Sequence, residues 1–299
     1  MMYSKRVVLF GLALMMSGLA MAQLNILNAK TPDEIGQKTL DQIEYDNDRP
    51  LPYGYVDDRD VLWSRTTWEI VDLDQRVNFP LYYPIDTNNI GADRRSLYDV
   101  LVKNIKNGLI EHVYADSYFT EKRTLKDIEA SLVYSDTTDL GIEQFNAEGV
   151  VDKQYIRRFT LDAGDVEEYR IRGFWYVDKR QGELKYRLLG ICPVANEARS
   201  KAYPDSGDAK VELFWVWYPD ARDVLHEWKS FNNKNTSQPI SYDHLLNSRR
   251  FSAVIYKEDN VQGDRAVYDY INDNALMQLM ESDRIKEKIR NIEMDLWNY

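Results

Sequence analysis

Three histidines and one cysteine are the residues of this chain best suited to metal or nucleophilic chemistry, and they are scattered. His112, His226 and His244 lie far apart. None has a histidine or cysteine partner at the i+3 or i+4 spacing that puts two ligands on one helical face. Cys192 has no second cysteine, so it makes no internal disulfide and no paired thiolate site. It ends an apolar, strand-like run and precedes Pro193. A small core residue is the expectation there, not a nucleophile. No G-x-S-x-G elbow, P-loop or G-x-G-x-x-G turn is present. With 49 acidic residues, carboxylate pairs of the kind glycosidases use are too easy to find for any pair to be singled out. The expectation is a chain with no catalytic, cofactor or metal site.

The 299 residues carry a formal charge of −11. An acidic surface repels phosphate backbones, so nucleic acid and anionic lipid are not the expected partners. The first residues read as an export signal. Lys5 and Arg6 precede the apolar run Val7 to Leu19, and Ala20-Met21-Ala22 offers a cleavage site before Gln23. Residues 1–22 are therefore expected to be a signal peptide, with an uncleaved N-terminal anchor as the competing reading. Gln23 stands where a lipoprotein would carry its lipidated cysteine, so no lipid anchor is expected.

Residues 23–52 read as an extended arm ending in Asp46-Asn47-Asp48-Arg49-Pro50-Leu51-Pro52. The prolines disfavour helix just before them. The arm is either a flexible leader or a strap that orders on a partner. Residues 53–299 read as an α+β core with antiparallel strands, flanking helices and a C-terminal helical segment. Asp57-Asp58-Arg59-Asp60 reads as the start of a helix carrying Trp63 and Trp68. Phe79 to Pro84 follows as an aromatic turn. Leu97, Leu101 and Ile105 repeat every four residues, a helix stopped by Asn107-Gly108. Ser135 to Gly149 reads as loop. Tyr169 to Val177 and Leu184 to Gly190 read as a hairpin, with Leu184, Tyr186 and Leu188 on one face and Lys185 and Arg187 on the other. Further strands are expected at Val211 to Tyr218 and Ser252 to Tyr256. Two helices should close the chain, one from about Arg265 to Met280 and one capped by Ser282 with Ile285, Ile289, Ile292 and Leu296 on its apolar face.

Longer strings carry a resemblance. Asp60-Val61-Leu62-Trp63-Ser64-Arg65-Thr66-Thr67-Trp68-Glu69-Ile70 runs into Asn78-Phe79-Pro80-Leu81-Tyr82-Tyr83-Pro84. Gly173 to Glu183, Tyr186 to Ile191 and Phe214-Trp215-Val216-Trp217-Tyr218-Pro219 follow. Together they resemble the gliding motility GldN family, called PorN in non-gliding relatives, from about Pro50 to Trp297. The resemblance implies a non-enzymatic component of type IX secretion and gliding. It implies a periplasmic location at the inner face of the outer membrane and a multi-copy ring with a GldK/PorK-type lipoprotein. A GldM/PorM-type periplasmic motor protein is an implied further contact. The expected helical C-terminus disfavours cargo of the same system, which would end in a sorting domain.

The candidate partner-binding residues are Pro50, Pro52, Tyr53 and Tyr55 in the strap, Trp63 and Trp68 on the exposed side of their helix, and Lys179 and Arg180 at the hairpin tip. A periplasmic carbohydrate hydrolase and a soluble chaperone for secreted cargo are the alternatives.

Overall fold

The computed structural model describes residues 48–86, 94–203, 209–232, 234–235, 239–272 and 274–296, with Thr31, Leu40 and Glu44 as isolated positions. The expected signal peptide and most of the arm lie outside the described residues.

The chain is α+β, as expected. In order, the strands are β1 (Val61–Asp72), β2 (Val113–Tyr114), β3 (Val133–Thr137), β4 (Ile156–Thr160), β5 (Val166–Asp178), β6 (Glu183–Asn196), β7 (Lys210–Glu212), β8 (Trp215–Trp217), β9 (Lys229–Ser230), β10 (Ile240–Ser241) and β11 (Val254–Glu258). The helices are α1 (Phe79–Tyr82), α2 (Leu97–Lys106), α3 (Leu125–Leu132), α4 (Asp139–Glu148), α5 (Tyr218–Glu227), α6 (Tyr242–Asn247), α7 (Val267–Tyr270) and α8 (Ala275–Leu296). The main sheet is antiparallel, ordered β11-β1-β5-β6-β8-β2, with β7 also on β6. Pairs β3–β4 and β9–β10 form two small sheets.

The register sorts the long strands into two faces. Trp63, Arg65, Thr67, Glu69 and Val71 lie opposite Val177, Trp175, Gly173, Ile171 and Tyr169, which lie opposite Leu184, Tyr186, Leu188, Ile191 and Pro193. This face meets the helices. Residues of α2, α5 and α6 pack with Val71, Tyr169, Ile171 and Leu188 in the main core. Ile285 and Ile289 of α8 pack with Ile255, beside Trp63, Trp175 and Leu184. The other face holds a smaller core of Trp68, Cys192, Val194 and Trp215. The Tyr118-Phe119 loop covers it: Arg172 and Lys257 lie 5.1 and 4.5 Å from the Trp68 ring, and Lys257 donates to the Tyr118 hydroxyl. Two glycines make room for rings: a β-carbon at Gly173 would overlap the Tyr186 ring, and one at Gly190 the Phe119 ring.

Several expectations are corrected. Residues 61–72 are the second strand from the edge of the sheet, not a helix. A 3-10 turn, Asp58–Asp60, leads directly into them, with Asp57 accepting from the Arg59 amide. Thr66, Thr67, Ile70 and Val71 are β-branched, and β5 and β11 pair on either side. Burial of Thr67 and Glu69 on the core face hid the alternation. Ser135 to Gly149 is also not loop: it holds the end of β3 and helix α4, closed by Gly149 in the left-handed region. The Val211 to Tyr218 strand is two short strands, β7 and β8, with Tyr218 already opening α5. The end of the chain is the short α7 and one continuous α8. Ser282 caps nothing. It is buried mid-helix, where its hydroxyl accepts the Ile255 amide of edge strand β11 at 2.8 Å.

Three expectations match the structure. The helix carrying Leu97, Leu101 and Ile105 forms as α2, capped by Ser96 through the Asp99 amide, and it stops at Asn107 with Gly108 following at φ 72°. The hairpin forms as β5 and β6, turned through Gly182 at φ 64°. A strand forms at β11.

Candidate functional site

The segment from Asp48 to Val56 lies as a strap across α5, α6 and the free end of the β5–β6 hairpin. Each grip on it is polar. The Asp48 carboxylate meets His226 Nε2 at 2.8 Å and Lys229 Nζ at 3.0 Å. Arg222 Nη2 donates to the Leu51 carbonyl at 2.6 Å. The Tyr53 ring lies between two guanidinium groups, 4.0 Å from Arg222 Cζ and 4.6 Å from Arg187 Cζ. Its hydroxyl donates to Asn247 Oδ1 at 2.8 Å. Arg187 Nη2 donates to the Gly54 carbonyl at 3.0 Å, and Arg180 Nη2 to the Tyr55 carbonyl at 3.1 Å.

Beneath the strap is a buried network that holds these donors in place. Arg222 Nε donates to Asp243 Oδ1 at 2.9 Å, and the Tyr218 hydroxyl and Asn247 amide donate to the same oxygen, each at 2.8 Å. A buried carboxylate with an arginine and two further donors is satisfied on every side. Burial, reinforced by Asp243, pushes the Tyr218 phenol far above its ordinary range, so it stays a donor. Burial also raises Tyr53, against the pull of Arg222.

Two of the strap's large side chains gain little from burial. Leu51 is 79 % and Tyr55 83 % exposed. Between strap and hairpin runs a groove of about 430 Å³, lined by Tyr53, Tyr55, Tyr176, Arg180, Lys185 and Arg187 among others. Arg180 is braced by Asp60 at 2.9 Å and Lys185 faces Asp178 at 3.7 Å. The backbone amide of Lys179 donates to the Asp60 carbonyl, which ties the hairpin tip to the chain just after the strap.

The expected binding residues therefore divide. Pro52, Tyr53, Tyr55 and Arg180 come together around the groove, with Pro50 half-buried in the same strap and Lys179 exposed at the same tip. Trp63 and Trp68 are not part of it. In a strand, residues five apart face opposite ways. Trp63 packs half-buried toward α8, and Trp68 is 1 % exposed in the opposite core. There is no helix whose outer side they could form.

The residues of classical chemistry stay apart. His112 pairs with Asp220, His226 with Asp48, and the His244 amide is capped by Ser241. Among the described residues no three His, Cys, Asp or Glu side chains gather as a metal site, and no helix is long and apolar enough to cross a membrane. Burial pushes the Cys192 thiol well above its ordinary range.

The family described as gliding motility associated protein GldN matches residues 56–298. The chain belongs to the GldN family. It is thus a component of the gliding motility and type IX secretion machinery, from a structural family not known for enzymes. No curated protein matches the chain. The GldN match opens at Val56, so Arg180, Arg187 and Arg222 fall inside it while the strap from Asp48 to Tyr55 lies just before it.

Sequence reasoning missed Asp48, Arg187, Arg222, Asp243 and Asn247. Part of the signal was present. Pro219 in the first turn of α5 with Asp220 beside it, and Ser241 capping α6, are ordinary helix-start marks. They would have placed Arg222 and Asn247 on helices. Nothing local says that these helices lie beneath the strap.

Proposed function

We propose that this GldN-family protein is a non-enzymatic periplasmic subunit of the machinery, assembling in many copies with an outer-membrane lipoprotein of the GldK/PorK kind into a ring at the inner face of that membrane. A periplasmic motor protein of the GldM/PorM kind is its further contact. The charged, apolar and small-residue pattern of residues 5–22, which reads as an export signal, supports this reading. One observation carries the docking part. The strap and the hairpin tip meet at a single groove, with Arg180 holding a carbonyl 125 residues away in sequence. Exposed tyrosines and arginines beside a groove are the residue types enriched at interfaces.

Deleting residues 24–52 tests the strap. The account expects less lipoprotein to co-purify with the deleted chain, while its thermal unfolding shows that the core survives. Undiminished co-purification would remove the strap from the interface. A purified chain that hydrolyses an envelope polymer, with activity lost on single carboxylate substitutions, would instead favour the hydrolase.

A further inference from the structure

The outer edge of β6 from Glu183 to Leu189 has no strand beside it among the described residues. β8 pairs only Gly190 and Ile191, and β7 only Val194 to Asn196. An open edge presents a row of peptide N–H and C=O groups, and natural sheets normally cover or blunt such edges. Here the strap runs alongside, yet it makes no backbone-to-backbone hydrogen bond with β6 among the described residues. Its carbonyls instead take the guanidinium donors of Arg180 and Arg187. A peptide carbonyl is a neutral acceptor. A carboxylate would accept the same donors more strongly, and from both nitrogens of one guanidinium.

Charge points the same way. The chain as a whole is −11, yet this edge collects Lys179, Arg180, Lys185 and Arg187. Arg180 and Lys185 have acidic partners. For Lys179 and Arg187 no ion pair is found among the described residues, and Lys179 is exposed at the tip. We propose that this edge takes an extended, acidic segment of a partner polypeptide, which adds as a strand along β6, sets its carboxylates on Arg187 and the tip cations, and displaces the strap that now covers the site. Strand addition supplies affinity through the backbone, and the side-chain sites supply selectivity. The strap suits a removable cover because hydrogen bonds, ion pairs and the cation–π seat of Tyr53 hold it, while Leu51 and Tyr55 stay largely in solvent. The inference rests on the strap and hairpin tip being the docking surface: once displaced from the edge, the strap makes its own contact with the partner, so its deletion weakens assembly even though its loosening opens the edge to a peptide.

The test is fluorescence anisotropy with the full mature chain and a labelled peptide of about ten alternating glutamates and valines, roughly a strand long. The expected result is saturable binding, weakened about tenfold or more by Arg187→Glu and several-fold by Lys179→Glu. Replacing Pro50 to Tyr55 by glycine and serine should strengthen it. N-methylating alternate peptide amides should weaken it, because the strand bonds are then blocked. Lys179→Glu lies at an exposed tip, so it keeps the test valid if Arg187→Glu unfolds the chain. Equal binding of a lysine-for-glutamate peptide, indifference to both variants, or no binding by a chain with intact cooperative unfolding would each overturn the proposal. The titration uses the isolated chain, so it fails or succeeds separately from assembly: peptide binding without a membrane-associated complex would count against the ring reading alone.

Discussion

Arg222 and Arg249 solve the same problem in two places. Each neutralises a carboxylate taken out of water and stacks on aromatic rings. Arg249 donates to both oxygens of Glu69, which is wholly buried, at 3.2 and 2.7 Å. Its guanidinium lies 4.3 Å from the Tyr186 ring and 5.1 Å from Trp175. Removing one partner of such a pair leaves an uncompensated charge in the core. Arg249→Ala should therefore cost about 3–5 kcal/mol in denaturant unfolding. Pairing it with Glu69→Leu should recover much of that loss, and a double variant as unstable as the single one would refute the argument. Asp48 offers a pH test. Burial opposes ionisation, but Lys229 and His226 outweigh it and hold the carboxyl below its ordinary 3.8. A depressed carboxylate contributes stability that is present above the unfolded value and lost as pH falls through the folded one. The Gly54 amide, followed by NMR, should report strap release only as the solution is acidified below 3.8. An amide unchanged until global unfolding would contradict the pinning role. Cys192, buried and raised, should react with a thiol reagent only when the chain is unfolded. Prompt labelling of the native chain would show the site to be open.

At the level of elements, legibility followed the faces. The β5–β6 hairpin could be read because Leu184, Tyr186 and Leu188 alternate with Lys185 and Arg187, and Gly182 marks the turn. β1 could not, because its core face carries Arg65, Thr67 and Glu69, and its other face buries Trp68. A strand with polar residues facing the core and an aromatic on its other face loses period-two patterning. In α8, Ser282 looked like a start because serine usually caps. Only the fold reveals β11 as an edge strand whose Ile255 amide needs that hydroxyl. Ser282→Ala should strand this amide and cost about 1–3 kcal/mol, read as a lowered Tm. A neutral result would mean that water reaches the β11 edge. Gly173→Ala should force Tyr186 off its seat and cost about 1–3 kcal/mol by overpacking, with the loss eased by Tyr186→Leu.

Over the whole molecule, helices cover one face of a long antiparallel sheet, and the strap lies along an edge of β6 that has no strand beside it among the described residues. The sequence placed the strap and the hairpin tip as separate candidates, and only tertiary structure joins them through Arg180, Arg187 and Arg222. The central claim is that this GldN-family chain works by docking in an assembly. The most direct measurement is the native mass and composition of the particle that contains it, extracted gently from outer membrane and sized on a gradient. The account predicts large particles in which this chain co-migrates with a lipoprotein, and smaller ones when Tyr53→Ala and Arg180→Glu are combined. A lone species of about one chain, free of the membrane under the same conditions, would contradict it.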